Sequence, residues 1–289
     1  MRSKRLPAGA GNAAWWLAVF IVTLGTAAFQ RITGPARPVR GSVTIAQQSS
    51  SYKLPRTHAG DSDAVVSIAI PRGVVSGTLS YKRFKVDEPM KAVAMRLDGD
   101  RLSAALPHQP PAGKLEYHVR LTSGGETVNV PEDRYVVIRF KGHVSRWALV
   151  PHVVFIFLAM LCSTHAGIVA LLNRPGLRPL AWWTLGLISL GGMLLGPLVQ
   201  YQAFGAWWTG VPYGWDLTDN KTLVAFLLWL SACLALGVRR RDVSKTGRWL
   251  SLAAAVLTLA VFVIPHSVLG SELDYTKIDT TARPQRLGP

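Results

Sequence analysis

Long apolar runs alternate with short polar connections along most of the 289-residue chain. The uncharged runs cover residues 6–30, 147–173, 179–215, 222–238 and 249–271. Most of them exceed the roughly 20 residues that a helix needs to cross the hydrocarbon core of a bilayer. The pattern therefore predicts a polytopic α-helical membrane protein with five spans. The last four spans are expected to form a bundle, and the glycines of the third span favour close helix packing.

Between the first two spans the pattern changes to short alternating runs that are separated by turn residues. A period of two is typical of strands with one buried face. Strands are predicted at residues 64–70, 75–82, 91–97, 115–121 and 135–140. Six or seven short strands in a stretch of roughly 90 residues are typical of an antiparallel sandwich of the immunoglobulin-like type. We therefore expect an all-β domain inserted between the first and second spans.

These patterns divide the chain into five parts. We expect a membrane anchor at 1–30, a linker or extended arm at 31–60, a β-sandwich at 61–145, a four-helix transmembrane bundle at 146–270 and a polar tail at 271–289. The first apolar run follows a basic start and ends in Gly25-Thr26-Ala27-Ala28, so it is also compatible with a cleaved signal peptide. Both alternatives export the residues that follow, and we favour the uncleaved anchor.

Composition and charge agree with a membrane protein and set its orientation. The chain is 49% hydrophobic and only 17% charged, which excludes an ordinary soluble domain, and its net charge is +16. Basic residues cluster in three short pieces, at 2–5, 174–178 and 239–248. The positive-inside bias places these pieces in the cytoplasm. The β-domain, the loop 200–221 and the C-terminus then lie outside the plasma (inner) membrane.

The part of the chain predicted to lie outside carries no visible catalytic constellation. It has no basic run with interleaved aromatic residues, which argues against nucleic-acid binding. Cys162 and Cys233 both fall inside spans, so no disulfide framework is expected. We therefore expect a protein that is not a stand-alone enzyme. Its expected partners are the lipid bilayer and, through the β-domain, other membrane or periplasmic proteins.

The outer loop before the fourth span has an unusual composition. Residues 203–230 read AFGAWWTGVPYGWDLTDNKTLVAFLLWL and contain Trp207, Trp208, Trp215, Asp216 and Asp219. An interfacial aromatic belt accounts for the tryptophans, but it does not require the glycines, the proline and the carboxylates. Asp219 or Asn220 is expected to cap the fourth span.

This loop resembles that of the tryptophan-rich haem-handling membrane proteins of cytochrome c biogenesis. In that family the outer loop has the form WGxxWxWDxxE and is followed by a transmembrane helix. The segment Trp215-Asp216-Leu217-Thr218-Asp219 is similar to the WDxxE end, with Asp219 in the acidic position. The segment 204–208 is similar to a displaced beginning, with one additional residue between Trp208 and Trp215. The resemblance is limited to residues 203–230 and to the Pro-His pairs that flank them.

The same family flanks its loop with outward-facing histidines that ligate haem. Here His152 follows Pro151 at the outer end of the second span, and His266 follows Pro265 at the outer end of the fifth. The resemblance implies a haem b, or a metal, held by His152 and His266. Two neutral imidazoles can supply both axial positions of a haem. The ring would stack on Trp207, Trp208 or Trp215, with Asp216 and Asp219 near it.

Two functions remain open from the sequence. The first is an outward-facing haem site that serves haem handling, cytochrome assembly or electron transfer. The alternative is a cofactor-free membrane assembly or partner-binding subunit that uses its β-sandwich. His165 lies 13 residues beyond His152 on the same span, which is about 20 Å deeper. We expect His165 to make a helix-to-helix hydrogen bond rather than to share a site with His152.

Overall fold

The computed structural model describes residues 8–70, 76–238, 242–265, 270 and 272–275. They form two compact units. The helical unit contains the described parts of 1–35, 144–202 and 206–270, and the β unit contains those of 36–143, 203–205 and 271–289.

Among the described residues, five helical segments are long and apolar enough to cross a membrane. They are α1 (Ala8–Thr33), α2 (Arg146–Leu171), a third span over Leu177–Phe204, α5 (Leu217–Leu236) and α6 (Lys245–Val263). The third span consists of α3 (Leu177–Ile188), a π-helix (Ser189–Leu195) and α4 (Gly196–Phe204). The number and the order of these helices agree with the predicted spans, and the chain is a membrane protein.

Glycines of the π-helix lie where neighbouring helices come closest. A Cβ atom on Gly191 would lie 2.8 Å from the Cβ atom of Phe155 on α2. A Cβ atom on Gly192 would lie 2.7 Å from Cγ2 of Thr222 on α5. The third span therefore packs against both helices at positions that accept no side chain, as small residues permit in membrane bundles.

The first helix packs against α2 and α6. The ring of Trp16 meets the imidazole of His165 on α2 edge-on, with 4.2 Å between the ring centroids. Near the other end of α1, Nε2 of Gln30 donates to the carbonyl oxygens of Phe262 at 2.8 Å and Ile264 at 3.1 Å. Carbonyls at a helix C-terminus have no partner within the helix, so Gln30 supplies one for α6.

The basic connections between the helices meet at one end of the helical unit. Nη2 of Arg178 donates to the carbonyl oxygen of Asp242 at 3.2 Å, which joins the α2–α3 and α5–α6 connections. The guanidinium of Arg174 lies 5.5 Å from the ring centre of Trp15 on α1. We call this end, with Trp15, Arg174, Arg178 and Asp242, the basic end.

The β unit consists of short strands in three sheets. The strands are β1 (Val39–Ile45), β2 (Gln48–Leu54), β3 (Thr57–Ala59), β4 (Ala64–Ala69), β5 (Ser76–Arg83), β6 (Lys91–Ala94), β7 (Arg96–Asp98), β8 (Arg101–Leu106), β9 (Lys114–Ser123), β10 (Glu126–Val130) and β11 (Val136–Lys141). One sheet has the order β3-β11-β9-β5-β6, with β10 also paired to β9, and a second has the order β4-β8-β7. Strands β1 and β2 form a separate hairpin. The described pairs are antiparallel except β3 with β11.

One apolar core joins the three sheets. Strand β9 shows the reason clearly, because Leu115, Tyr117, Val119 and Leu121 are buried and alternate with more exposed residues. Val43 and Leu54 of the hairpin, Ile68 of β4 and Phe140 of β11 belong to the same buried cluster. Alternation along each strand therefore sends one set of side chains into a shared interior.

Two expectations for this region are wrong. Residues 31–60 are not a linker, because β1, β2 and β3 lie there and Val43, Ile45 and Leu54 are buried in the core. The stretch looked like a linker because the outward-facing positions of a strand are free to be Ser, Gln or Lys. The single strand expected at 91–97 is divided into β6 and β7, which belong to different sheets. Met95 lies between them and is buried.

Candidate functional site

At the end of the helical unit away from the basic end, α1 and α5 both contact the C-terminus of α6. Nζ of Lys221, the fifth residue of α5, donates to the carbonyl oxygen of Ile264 at 2.8 Å. Gln30 donates to the same carbonyl, and Gln30 and Phe262 line a cavity together with His152. We call this region the aromatic end. It contains Gln30, His152, Lys221, Phe262, Ile264 and the tryptophan loop 206–216.

Asp219 organises the tryptophan loop from inside. One oxygen of its buried carboxylate accepts hydrogen bonds from the backbone N–H of Thr209 at 2.6 Å and of Gly210 at 3.1 Å. The same oxygen accepts from Nε2 of Gln200 at 2.9 Å and from Oγ1 of Thr209 at 3.2 Å. Donors from the loop and from α4 therefore converge on one carboxylate, which fixes the loop against the start of α5.

Asp216, and not Asp219 or Asn220, caps α5. Oδ1 of Asp216 accepts from the backbone N–H of Thr218 at 2.8 Å and of Asp219 at 3.4 Å. Oδ1 of Asn220 instead accepts from the backbone N–H of Val211 at 2.7 Å. The expected cap was wrong because the helix begins at Leu217, so Asp219 and Asn220 lie inside its first turn. From that turn, both side chains reach back to the loop.

The aromatic rings of the loop lie mostly on its surface. Trp207 stacks on Tyr201, with 4.5 Å between the ring centroids and 12° between the ring planes, yet it remains 54% exposed. Tyr213 and Trp215 are 83% and 85% exposed. Trp208 is half-buried, and its indole N–H donates to the carbonyl oxygen of Val211 at 3.0 Å. The loop thus exposes large aromatic rings, while the carboxylates of Asp216 and Asp219 fix its backbone and the start of α5.

His152 has the geometry of a ligand whose second nitrogen is already engaged. Its Nδ1 lies 2.8 Å from the carbonyl oxygen of Gly191 in the π-helix. Because a carbonyl can only accept, Nδ1 carries a proton, and in the neutral imidazole Nε2 is left with its lone pair. Histidines that bind metals commonly make this hydrogen bond to a backbone carbonyl. Local π-helices are frequent at functional sites.

The cavity beside His152 is small and mostly apolar. It has a volume of about 140 Å³ and is lined by His152, Gln30, Ala27, Val153, Ile156, Phe157, Met160 and Phe262. Pockets that enclose drug-sized ligands have volumes of roughly 300–1,000 Å³. The cavity therefore cannot enclose a haem, and none of the loop tryptophans is among the described residues that line it.

The other predicted ligand, His266, lies outside the described residues. The chain just before it is at the aromatic end, because Ile264 accepts from Gln30 and Lys221. Within the part of the chain that the structure describes, no group of three or more His, Cys, Asp or Glu side chains is placed to hold a metal ion. The structure therefore places His152, the tryptophan loop and Ile264, two residues before His266, at the aromatic end of the helical unit. Among the described residues, their side chains do not line one common cavity.

Sequence reasoning missed two residues that build this end. Lys221 is only 6% exposed, and its ammonium binds a carbonyl at the C-terminus of α6, where the helix dipole favours a positive charge. A lysine near the N-terminal end of an apolar helix is unfavourable for that helix, and this signal pointed to a partner elsewhere. Gln30 carried no such signal, since a polar residue near the end of a span is ordinary.

His165 is buried on α2 at the level of Trp16. We expected a helix-to-helix hydrogen bond, but Nδ1 of His165 has no hydrogen-bond partner among the described residues. The ring contact with Trp16 takes the place of that bond as the described link to α1.

Comparison with known proteins adds no assignment. The sequence matches no protein-family model, and no curated protein gives a significant match.

Proposed function

We propose that the protein is an inner-membrane protein that handles haem at its aromatic end, where His152 would hold the iron of a b-type haem. The observation that carries this proposal is the hydrogen bond from Nδ1 of His152 to the Gly191 carbonyl. It orients the ring and would leave Nε2 of the neutral imidazole available to iron, an arrangement that is common in histidine-ligated metal sites. His266 is the proposed second ligand.

The fit of the described residues to haem is partial and sets where the ring can bind. The cavity of about 140 Å³ is too small, so the macrocycle would bind at the surface of the aromatic end. The exposed rings of Trp207 and Trp215 are suited to stack on it. Asp216 and Asp219 act indirectly in this proposal, because their carboxylates hold the loop that carries these rings. Haem would supply a one-electron redox centre there, or would be the cargo that the protein passes on.

We also propose that the aromatic end faces the outside of the membrane and the basic end faces the cytoplasm. The support is the positive-inside bias, because Arg174 and Arg178 lie at the basic end. A cysteine in place of the exposed Tyr213 should react with an impermeant thiol reagent in intact cells, whereas one in place of Thr246, at the start of α6, should not. Labelling of the Thr246→Cys variant alone would reverse the orientation. The parent chain controls for its own cysteines.

The strand order supports an immunoglobulin-like assignment for the β unit. In such sandwiches one sheet holds strands B, E and D and the other holds C, F and G. The orders β4-β8-β7 and β11-β9-β5 match these two sets. We propose that this sandwich faces outward and docks a membrane or periplasmic partner.

A cofactor-free assembly or partner-binding role is the second candidate. It is favoured by the hydrogen bonds of Asp216 and Asp219, which are directed to the loop and to α5. The loop then serves as a rigid aromatic contact surface. This candidate differs from the first in one measurable property, because it requires no bound chromophore.

An optical spectrum of the full-length protein separates the two candidates. Protein purified in detergent from haem-supplied cells should show a Soret band and the reduced bands of low-spin b-type haem. His152→Ala should convert the spectrum to high spin or lose the haem, because one iron bond is removed. His165→Ala is the matched control, since this second histidine of α2 lies about 20 Å from His152 along the helix. Its spectrum should equal that of the parent protein.

The outcomes that contradict the haem proposal are specific. A colourless protein that shows no saturable spectral change on haem titration would leave the partner-binding role. A spectrum that changes only in His165→Ala would move the site toward the basic end. Trp215→Ala should weaken haem retention without changing the spin state, because stacking holds the ring but not the iron.

A further inference from the structure

A short segment near the C-terminus packs against the β unit through its acidic side chain. We call Glu272–Tyr275 the tail segment. The carboxylate of Glu272 binds Nζ of Lys85 at 2.8 Å and Nζ of Lys114 at 2.6 Å. Two ammonium groups therefore converge on one carboxylate, and both lie within 5.6 Å of the ring centre of Phe84.

Tyr275 is the second anchor of the tail segment. Its side chain is buried, and its hydroxyl accepts from the backbone N–H of Lys114 at 2.9 Å. The hydroxyl is also within donating distance of the Lys114 carbonyl, at 3.0 Å, and of Oε1 of Gln109, at 3.1 Å. A Cβ atom on Gly113 would lie 3.0 Å from this hydroxyl oxygen, so the close packing of Tyr275 on the turn depends on a glycine.

Between the two anchors the backbone also takes part. The N–H of Leu273 donates to the carbonyl oxygen of Ala112 at 3.2 Å. The tail segment is thus held by its charge, its backbone and an aromatic hydroxyl. These are the kinds of contact by which domains recognise short peptides.

The site is not filled by the tail segment. A cavity of about 210 Å³ remains beside Glu272, lined on the β unit by Phe84, Lys85, Val86 and Lys114. Lys85 is still 65% exposed. Two ammonium groups face the single carboxylate of Glu272, and free space remains beside them. A ligand with more negative charge than Glu272 can therefore bind there.

We propose that Phe84, Lys85, Lys114 and the Gln109–Gly113 turn form a peptide-binding site for a partner segment with the pattern Glu-x-x-Tyr, which the tail segment occupies in the free protein. The inference rests on the docking role proposed for the β unit and names the chemistry of the partner. The tail segment is held by these contacts and by its high effective concentration. A partner segment that carries additional acidic residues gains further contacts with Lys85 and Lys114 and can displace it.

The test uses the full-length protein in detergent and a fluorescein-labelled peptide with the sequence of residues 270–279. In the parent chain the tail segment blocks the site, and the peptide should bind weakly. In the Glu272→Ala/Tyr275→Ala variant both anchors are lost, and the peptide should bind at least about tenfold more tightly by fluorescence anisotropy. A peptide in which Gln replaces Glu272 and Ala replaces Tyr275 should not bind.

A charge reversal locates the binding to this site. Lys85→Glu, added to the double variant, should abolish peptide binding. Lys53→Glu is the matched control, because Lys53 is an exposed lysine on β2 and takes no part in the described site. If the double variant unfolds at a lower temperature than the parent, Glu272→Gln alone removes the charge and should still give a measurable gain in affinity.

The inference is overturned if the released variant, folded like the parent, binds the peptide no more tightly than the parent does. Equal loss of binding in Lys85→Glu and Lys53→Glu would overturn it as well. Because the assay uses purified protein, this result is separate from docking of a partner through another face of the β unit. The haem spectrum of the same samples reports on the aromatic end independently.

Discussion

The two units of the molecule bury different mixtures of side chains. The β unit encloses large apolar residues such as Tyr117, Ile138 and Phe140, which are fully buried. The helical unit encloses many alanines and several polar side chains, including Thr184, Ser251, Thr258, Asp219 and Lys221. Many of its large apolar side chains point outward, and Leu194, Leu234 and Trp249 are 64%, 67% and 67% exposed, although a few such as Trp229 are buried.

This difference follows from the solvent of each unit. In water, burial of apolar surface drives folding, so the largest apolar side chains go inside. In lipid, an apolar side chain gains nothing by moving inward, and helices associate through close packing and hydrogen bonds. Small and polar residues are then the ones that belong between helices. The burial pattern of the helical unit is therefore itself a sign of a lipid environment.

The largest expected effect comes from an apolar truncation in the β unit. Phe140→Ala should lower the free energy of unfolding by about 3–5 kcal/mol, because it removes a buried ring and leaves a cavity. Leu194→Ala, a truncation on the outer face of the helical unit, should have a much smaller effect in detergent. Circular dichroism during thermal unfolding measures both. Equal losses from the two truncations would contradict the comparison.

The second effect concerns a buried polar group of the helical unit. Asp219→Ala leaves the N–H groups of Thr209 and Gly210 without their acceptor and should lower the free energy of unfolding by about 2–3 kcal/mol. Asp219→Asn keeps an acceptor oxygen and should cost less. Asp133→Ala, at a side chain that is 80% exposed, is the control. The prediction fails if Asp219→Ala and Asp133→Ala give the same melting temperature.

A smaller effect is expected from one hydrogen bond between membrane helices. The indole N–H of the fully buried Trp229 on α5 donates to Oγ1 of Thr258 on α6 at 3.0 Å. Such bonds between membrane helices contribute about 0.6 kcal/mol on average. Trp229→Phe and Thr258→Val, measured singly and together, should show a coupling energy of this size. Strict additivity would mean that packing alone joins these helices.

The smallest effect is a pH dependence that belongs to the β unit. Burial lowers the pKa of His118 below its usual value of 6.5, and the positive charge of Arg120 lowers this pKa further. The unfolded chain then binds a proton more readily than the folded chain below about pH 6.5. The folded protein therefore keeps its full stability above about pH 6.5 with respect to His118. Its free energy of unfolding falls as the pH decreases through that value. The melting temperature should decrease less between pH 7.5 and 5.5 in His118→Gln than in the parent, and equal decreases would contradict the assignment.

The spans were predictable because a lipid environment constrains composition over some twenty consecutive residues. The hairpin β1–β2 was not predictable, because Val43, Ile45 and Leu54 are its only buried hydrophobic residues. Its exposed positions hold Arg, Gly, Ser, Thr, Gln and Lys, which are also typical of a linker. The division of 91–97 between two sheets was also hidden, since alternation reports which residues are buried but not which sheet they join.

In the candidate site, too, some features were predictable from the sequence and others were decided by the tertiary structure. The sequence by itself pointed to His152 and to the carboxylates of the tryptophan loop, because they stand where the tryptophan-rich family has its histidine and its acidic loop residues. Only the tertiary structure decided what the side chains do. Asp219 holds the loop, Asp216 caps α5, and Nδ1 of His152 binds the Gly191 carbonyl. These contacts join residues that lie up to 39 positions apart, and they depend on where packed helices place a backbone carbonyl or N–H group. Composition and periodicity describe a residue's own environment, so they contain no information about such partners.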